Sequence, residues 1–224
     1  MIKLPNFDEA FNFENNFYLS SDKSRLEKCI AQYKLFEMVK DVPGDIFEFG
    51  VFKGCSLIRF ASFRDIFDLQ ESKAIYGFDI FDLFPETDYE PDKELRNDFI
   101  NIAGESSISK EQLEFVLDKK GFNNISLIEG DILETSNSFI QENPNVQISL
   151  LHIDTDIYEP AKIILETFYD KLSIGGILIV DNYNVFEGET KAVNDFLKDE
   201  KVHMKKLTFS KTPYYYIKTE SRKF

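Results

Sequence analysis

Two short acidic clusters hold the residues best suited to chemistry. His152-Ile153-Asp154-Thr155-Asp156-Ile157-Tyr158 follows one apolar run, and Asp181-Asn182-Tyr183 follows another. If strand geometry continues past the first run, alternation puts Asp154 and Asp156 on one side. If the two runs are neighbouring strands, Asp181 and Asn182 arrive beside them. Carboxylates and an amide carbonyl make an all-oxygen donor set with room for water and a ligand, which favours a hard ion such as Mg2+. Neither sulfur nor a pair of histidines is at hand for zinc. Taken singly, each cluster also fits an ordinary turn.

Three further acidic residues follow apolar runs. Glu48 opens Glu48-Phe49-Gly50-Val51-Phe52-Lys53-Gly54-Cys55-Ser56. Here Gly50 and Gly54 let the backbone approach a ligand at the start of a helix that includes Ser56. A glutamate where a dinucleotide loop would begin with glycine repels a pyrophosphate and suits an ammonium group, such as that of S-adenosylmethionine. Asp79, in Gly77-Phe78-Asp79-Ile80-Phe81, is placed to accept from ribose hydroxyls, with Phe81 beside it. Asp131, in Glu129-Gly130-Asp131, is placed to reach an adenine amino group. Each aspartate alone fits a helix cap; together they outline a nucleoside cleft.

The elements that must position these residues alternate. Ser21-Asp22 starts a helix that carries Leu26, Ile30, Tyr33 and Phe36 to about Lys40, and Pro43-Gly44 breaks it. Strands are predicted over 45–51, 74–80, 125–130, 148–154 and 177–181, with helices between them. Ser109 and Gln112 form a capping box closed by Gly121, and Pro160 opens a helix running to about Ser173. Gly175-Gly176 reads as a turn into the fifth strand. A further helix covers 189–198, and the tail over 202–210 and 213–218 reads as an antiparallel hairpin. This order predicts an α/β fold, a mostly parallel seven-stranded sheet with helices on both faces and ligands at the C-terminal ends of the strands. Residues 81–107, rich in Asp, Glu and Pro, read as a long irregular segment of the kind that forms a lid.

The 224 residues carry a net charge of −14, which disfavours nucleic acid as a partner. No run approaches the roughly 18 apolar residues of a membrane span, and the N-terminus lacks a signal-peptide pattern, so a cytoplasmic protein is expected. Cys29 and Cys55 show no metal spacing and fit a reducing compartment. The aromatic N-terminal arm could pack against a partner subunit in a homo-oligomer.

The ordered set resembles the macrocin O-methyltransferase (TylF) family of class I methyltransferases. The residues that carry the likeness are Val42-Pro43-Gly44-Asp45-Ile46-Phe47-Glu48-Phe49-Gly50-Val51, Gly77-Phe78-Asp79-Ile80-Phe81, and the stretch His152–Phe196 with its Asp154–Pro160 run and Gly188-Glu189-Thr190-Lys191. The resemblance implies a Rossmann-like methyltransferase domain over 41–224, with 1–40 as a helical arm of the same domain. It implies S-adenosylmethionine held by Glu48, Gly50, Gly54, Ser56, Asp79, Phe81, Gly130, Asp131 and Asp154, and Mg2+ held by Asp154, Asp181 and Asn182. Asp156 would be the general base and a sugar hydroxyl, or another vicinal diol, the acceptor. The family usually carries two aspartates where this chain has Asp181-Asn182. Catechol-type relatives use a lysine three residues after the first ligand; that position is Ile157, which gives weight to Asp156 as the base, with His152 as its rival. His152 reads as structural, Tyr158 and Lys191 as substrate contacts, and Phe81, Tyr89 and the N-terminal aromatics as a cover. The rivals are a nicotinamide-dependent oxidoreductase sharing the sheet, and a non-catalytic binding protein.

These alternatives separate in one thermal-shift experiment. At a hundred times its Kd a ligand stabilises by about 2.7 kcal/mol, worth roughly 5–10 °C in Tm at this chain length. S-adenosylhomocysteine should produce that shift and NAD none; the reverse would rule out the methyltransferase reading.

Overall fold

The computed structural model describes residues 2–198 and 202–220. Its sheet has seven strands: β1 (Asp45–Phe49), β2 (Ile75–Asp79), β3 (Ile125–Glu129), β4 (Ile148–Ile153), β5 (Leu172–Val180), β6 (Lys205–Lys206) and β7 (Tyr214–Ile217). They lie in the order β3-β2-β1-β4-β5-β7-β6. The first five run parallel, and β7 pairs antiparallel with both β5 and β6. Strand order reverses between β1 and β4, where such sheets open a ligand crevice at their C-terminal edge.

Alternation along each strand sends side chains to two cores. Ile46, Ile75, Leu150 and Ile177 face α2 (Lys23–Val39), α3 (Cys55–Ile66) and α5 (Lys110–Lys119). Phe47, Phe49, Phe78, Leu151 and Leu178 face α6 (Ile132–Glu142), α7 (Tyr158–Phe168) and α8 (Glu187–Leu197). Phe49 and Phe78 stack at 4.4 Å within the second core. Glu48 and His152 are in register on adjacent strands and fall on the first face, with no exposure to solvent. An aromatic N-terminal helix, α1 (Ala10–Ser20), buries none of its residues.

Local signals explain several boundaries. Asp22 caps α2 through Ser24 N–H. Ser109 and Gln112 form the expected capping box on α5. Gly121 at φ 69° ends that helix as the two amides of Gly121 and Phe122 return to Asp118 and Leu117. Buried cations seal the N-terminal edge of the sheet: Arg64 donates to the carbonyls of Lys73, Asn123 and Asn124, and Lys73 to those of Val42 and Gly44. Carboxylates gather at the opposite edge.

Two expectations need correction. Gly175-Gly176 is not a turn ahead of the fifth strand but an irregularity inside it. Ile148 pairs with Leu172, and Leu150 already pairs with Ile177. A Cβ on Gly176 would lie 2.9 Å from the Ser173 carbonyl oxygen, so the kink requires glycine. Residues 81–107 are not irregular throughout, because α4 (Asp92–Ala103) occupies their middle. Leu95, Phe99 and Ile102 keep helical spacing within that polar run, and Gly104 at φ 81° ends the helix.

Asp92 locks this segment to the body. Fully buried, it accepts from Tyr158 N–H at 3.2 Å and Gly188 N–H at 2.8 Å, the first turns of α7 and α8. A Cβ on Gly188 would lie 1.8 Å from Asp92 Oδ2, so only glycine admits this contact. Glu159 reinforces it, accepting from Thr87 Oγ1 and the amides of Asp88 and Tyr89. At its other end α4 is held by Lys53 Nζ, which donates to the Ala103 carbonyl. Asp92→Ala leaves two amides without their charged acceptor and should cost about 2 kcal/mol in urea unfolding, with faster hydrogen exchange across 92–103. A change below about 0.5 kcal/mol with unaltered exchange would show that the clamp carries no load.

Candidate functional site

A cleft of about 820 Å3 opens at the C-terminal edge of the parallel strands. One end is built on the loop between β1 and α3. Gly50 at φ 88° brings this loop against the end of β4, where a Cβ would lie 2.0 Å from the Asp154 carbonyl oxygen. Asp79 fastens the loop: its Oδ2 accepts from Val51 N–H at 2.7 Å and Phe52 N–H at 2.8 Å, and its Oδ1 from Phe81 N–H at 2.7 Å. Gly54, in the left-handed region, caps α3, and Ser56 in the first turn of that helix borders the cleft.

The predicted cofactor residues fall into three groups. Gly50, Ser56, Asp79, Gly130, Asp131 and Asp154 all line the cleft. Asp131 also caps α6, accepting from Leu133 N–H through Oδ1 at 2.9 Å. Glu48 lies one layer deeper, where it accepts from Ser56 Oγ, and its Oε2 is buried without a hydrogen-bond partner. Gly54 and Phe81 do not border the cleft; Phe81 is 5% exposed and packs in the first core. Tyr158 and Lys191, expected to touch substrate, lie outside it as well: Tyr158 stacks on Tyr89 at 5.3 Å, with Lys191 over its ring.

At the other end Asp154, Asp156, Asp181 and Asn182 meet. The route differs from simple alternation. β4 ends at Ile153, and Asp156 sits at φ 66°, in the left-handed region that aspartate enters more readily than most non-glycine residues. Asn182 Nδ2 donates to Asp154 Oδ1 at 2.9 Å and to Asp156 Oδ1, tying the two carboxyl groups together. Glu189, fully buried in the first turn of α8, accepts from the amides of Thr155, Asp156 and Asn182 at 2.9–3.2 Å. It holds both strand ends by their backbones.

Two cations answer these charges. Lys28 reaches in from α2, 2.5 Å from Asp181 Oδ2 and 3.7 Å from Asp154 Oδ2. Burial works against its charge, but the Asp154 and Asp181 carboxylates outweigh it and raise its pKa. His152 lies beneath, 3.5 Å from Glu48 Oε1 and 3.6 Å from Asp181 Oδ1. These separations are long for hydrogen bonds, so charge attraction dominates. Burial opposes protonation of His152, yet Asp181 and Glu48 raise its pKa to about 10, which favours the charged form near neutrality. Burial and neighbouring carboxylates push Asp154 up to about 6, Glu189 to about 8 and Asp156 well above the usual range, whereas Lys28 and His152 overcome burial to hold Asp181 low.

This donor set fits a divalent ion bound through oxygen. Asp181 Oδ1 is buried and has no hydrogen-bond partner, and one carboxylate oxygen of Asp154 and one of Asp181 lie within 4.8 Å of each other. Burial first, and then the neighbouring carboxylates, hold Asp154, Asp156 and Glu189 up, and an added cation would offset the second of these causes.

Sequence reasoning missed Lys28 and the bracing role of Glu189. Lys28 had no motif to mark it; its only signal was a position four residues before Gln32 on a helix whose buried side begins with Ala31 and Gln32. Glu189 was visible only as part of Gly188-Glu189-Thr190-Lys191.

Comparison with known proteins agrees with this architecture. The family Macrocin-O-methyltransferase (TylF) matches residues 22–218. Demethyldecarbamoylnovobiocin O-methyltransferase of Streptomyces niveus is 24% identical over 189 residues, 80% of this chain and 68% of that protein. The 8-demethyl-8-(2,3-dimethoxy-alpha-L-rhamnosyl)-tetracenomycin-C 4'-O-methyltransferase of Streptomyces olivaceus is 27% identical over 172 residues, 74% of this chain and 62% of that one. Among solved structures, CalS11, a calicheamicin methyltransferase, superposes with a TM-score of 0.76 at 28% identity, covering 95% of this chain and 86% of its own. Its apo form is described as a TDP-rhamnose 3'-O-methyltransferase. Among the described residues no helix is long and apolar enough to cross a membrane.

The titration pattern predicts an unusual pH profile. A carboxyl group raised on folding keeps its proton where the unfolded chain has lost it, so its contribution to stability fades as pH climbs from its unfolded to its folded value. For Asp154 and Glu189 that window runs from about 4 through 6 and 8, and His152 adds the same sign between 6.5 and about 10. In EDTA, Tm should therefore be several degrees lower at pH 8 than at pH 5.5. An equal or higher Tm at pH 8 would contradict the charge assignment.

Proposed function

This chain belongs to the macrocin O-methyltransferase (TylF) family, and we propose that it transfers the methyl group of S-adenosylmethionine to a hydroxyl of a sugar or sugar-containing small molecule, with Mg2+ at the carboxylate cluster. The observation that carries this reading is that the glycine loop with Asp79 and Asp131, and the group Asp154, Asp156, Asp181 and Asn182, border one cleft. A nucleoside-sized end and an oxygen-rich end thus share one space. A rhamnose-type acceptor is supported by CalS11, at 28% identity.

Transfer from a sulfonium is an in-line displacement, so the protein must align an oxygen and take its proton. Gly50 and Ser56 would support the methionine part of the donor, with Glu48 behind Ser56 supplying the negative charge that an ammonium group favours. Asp131 keeps one carboxylate oxygen clear of its capping bond for the adenine end. Asp79 would work chiefly by holding the loop in shape, since its oxygens already accept three amides.

Asp156 is the base in this reading. It borders the cleft and its conformation is fixed by Glu189 and Asn182; a divalent ion at Asp154 and Asp181 would offset the repulsion that, after burial, raises its pKa and would favour the ionised carboxylate a base requires. The raised pKa values of Lys28 and His152 beside these carboxylates disfavour either as the base. Asp154, Asp181 and the amide oxygen of Asn182 would hold Mg2+, which supplies Lewis acidity that lowers the pKa of a hydroxyl and fixes its position.

Asp156→Asn should keep S-adenosylhomocysteine binding and lose about 10²-fold or more in turnover; a rate unchanged in that variant removes Asp156 from the reaction. Turnover should also stop in EDTA and return with Mg2+. Full activity in chelator would remove the metal from the reaction.

A further inference from the structure

Lys28 has no role in that reading, although it makes the tightest charged contact in the site. Its Nζ bridges Asp181 Oδ2 and Asp154 Oδ2, one oxygen from each carboxylate assigned to the metal. The geometry is held from outside the site. Lys28 lies on α2, whose Ala31, Gln32, Leu35, Phe36 and Val39 are buried in the body of the protein, so the helix itself is fixed. Only the flexible stem of Lys28 is free to move, and its side chain, 26% exposed, borders the open cleft.

A divalent ion held by Asp154 and Asp181, whether on the oxygens that Lys28 touches or on the unpartnered Asp181 Oδ1, would lie within a few ångströms of the Lys28 ammonium, and like charges that close repel strongly. We propose that Lys28 is the resident cation of this site, and that a divalent metal enters by displacing its ammonium into the cleft. Resting on the metal assignment above, this makes Lys28 a determinant of metal affinity. The tethered ammonium balances Asp154 and Asp181 when no metal is present, and the metal binds more weakly by the strength of the ion pair it breaks. The site then holds a cation beside Asp154 and Asp181 in both states.

The test uses the full chain and Mn2+ alone, with free Mn2+ followed by electron paramagnetic resonance. Lys28→Met keeps the stem and removes the charge, and it should bind Mn2+ at least tenfold more tightly than the unaltered protein. A second measurement needs no variant: acylation of each lysine by acetic anhydride, read by mass spectrometry. Saturating Mn2+ should raise modification of Lys28 several-fold relative to exposed Lys3, because the displaced amine leaves its ion pair. Mn2+ binding with equal affinity in both proteins, or unchanged Lys28 modification at saturation, would overturn the displacement while leaving the metal assignment standing. Failure of both proteins to bind Mn2+ would overturn the metal assignment and the displacement together.

Discussion

Crowding carboxylates into a buried space is the constraint on which this structure turns. Glu48, Asp154, Asp156, Asp181 and Glu189 converge at the C-terminal edge of three adjacent strands, against Lys28 and His152 as the cations facing them. An unpaired buried charge costs several kcal/mol, so each carboxylate must find a proton, a cation or a row of amides. The chain uses all three. Asp181 is held charged by Lys28 and His152, Glu189 collects three backbone amides, and Asp154 and Asp156 rise toward protonation.

Much of the remaining architecture serves that arrangement. Gly50 lets β1 and β4 meet closely enough for the glycine loop and the acidic strand end to border one cleft. Asp79 and Glu189 are both acidic residues spent on backbone amides, one shaping each end of that cleft. Asp92 repeats the device at the roof, where it joins α4 to the first turns of α7 and α8. Acid at a helix N-terminus is favourable twice over, through the hydrogen bond and through the helix dipole. A strongly acidic composition therefore becomes a set of internal fasteners as well as a charged surface.

The sheet was legible in the sequence because buried parallel strands read as short apolar runs, and because the residues after each run are the ones a cleft must use. Asp154, Asp181 and Asn182 were placed together on that reasoning alone. Glu189 and Lys28 were not, because their roles depend on where whole helices pack. Ile157 excludes a lysine at one local spacing, yet a lysine arrives at the same carboxylates from α2, 153 residues from Asp181 in the chain. Asp156 meets Asp154 by a backbone reversal that alternation does not describe. In α4 the periodic trio Leu95, Phe99 and Ile102 was diluted by acidic neighbours, and Ile102 stays 87% exposed facing the cleft, so the segment reads as loop. Phe81 shows the opposite error: it follows Asp79, which lines the cleft, but turns its ring into the core.

The central claim is that one cleft holds the methyl donor at its glycine loop and a divalent ion at its acidic end. A crystal structure with S-adenosylhomocysteine and Mn2+, phased to reveal the anomalous signal of the metal, tests both halves at once. The account predicts a manganese peak bounded by oxygens of Asp154, Asp181 and Asn182, with the thioether sulfur in the same cleft and Asp156 facing the space between them. A metal peak elsewhere, or a cofactor bound outside the Gly50–Ser56 loop, would contradict it.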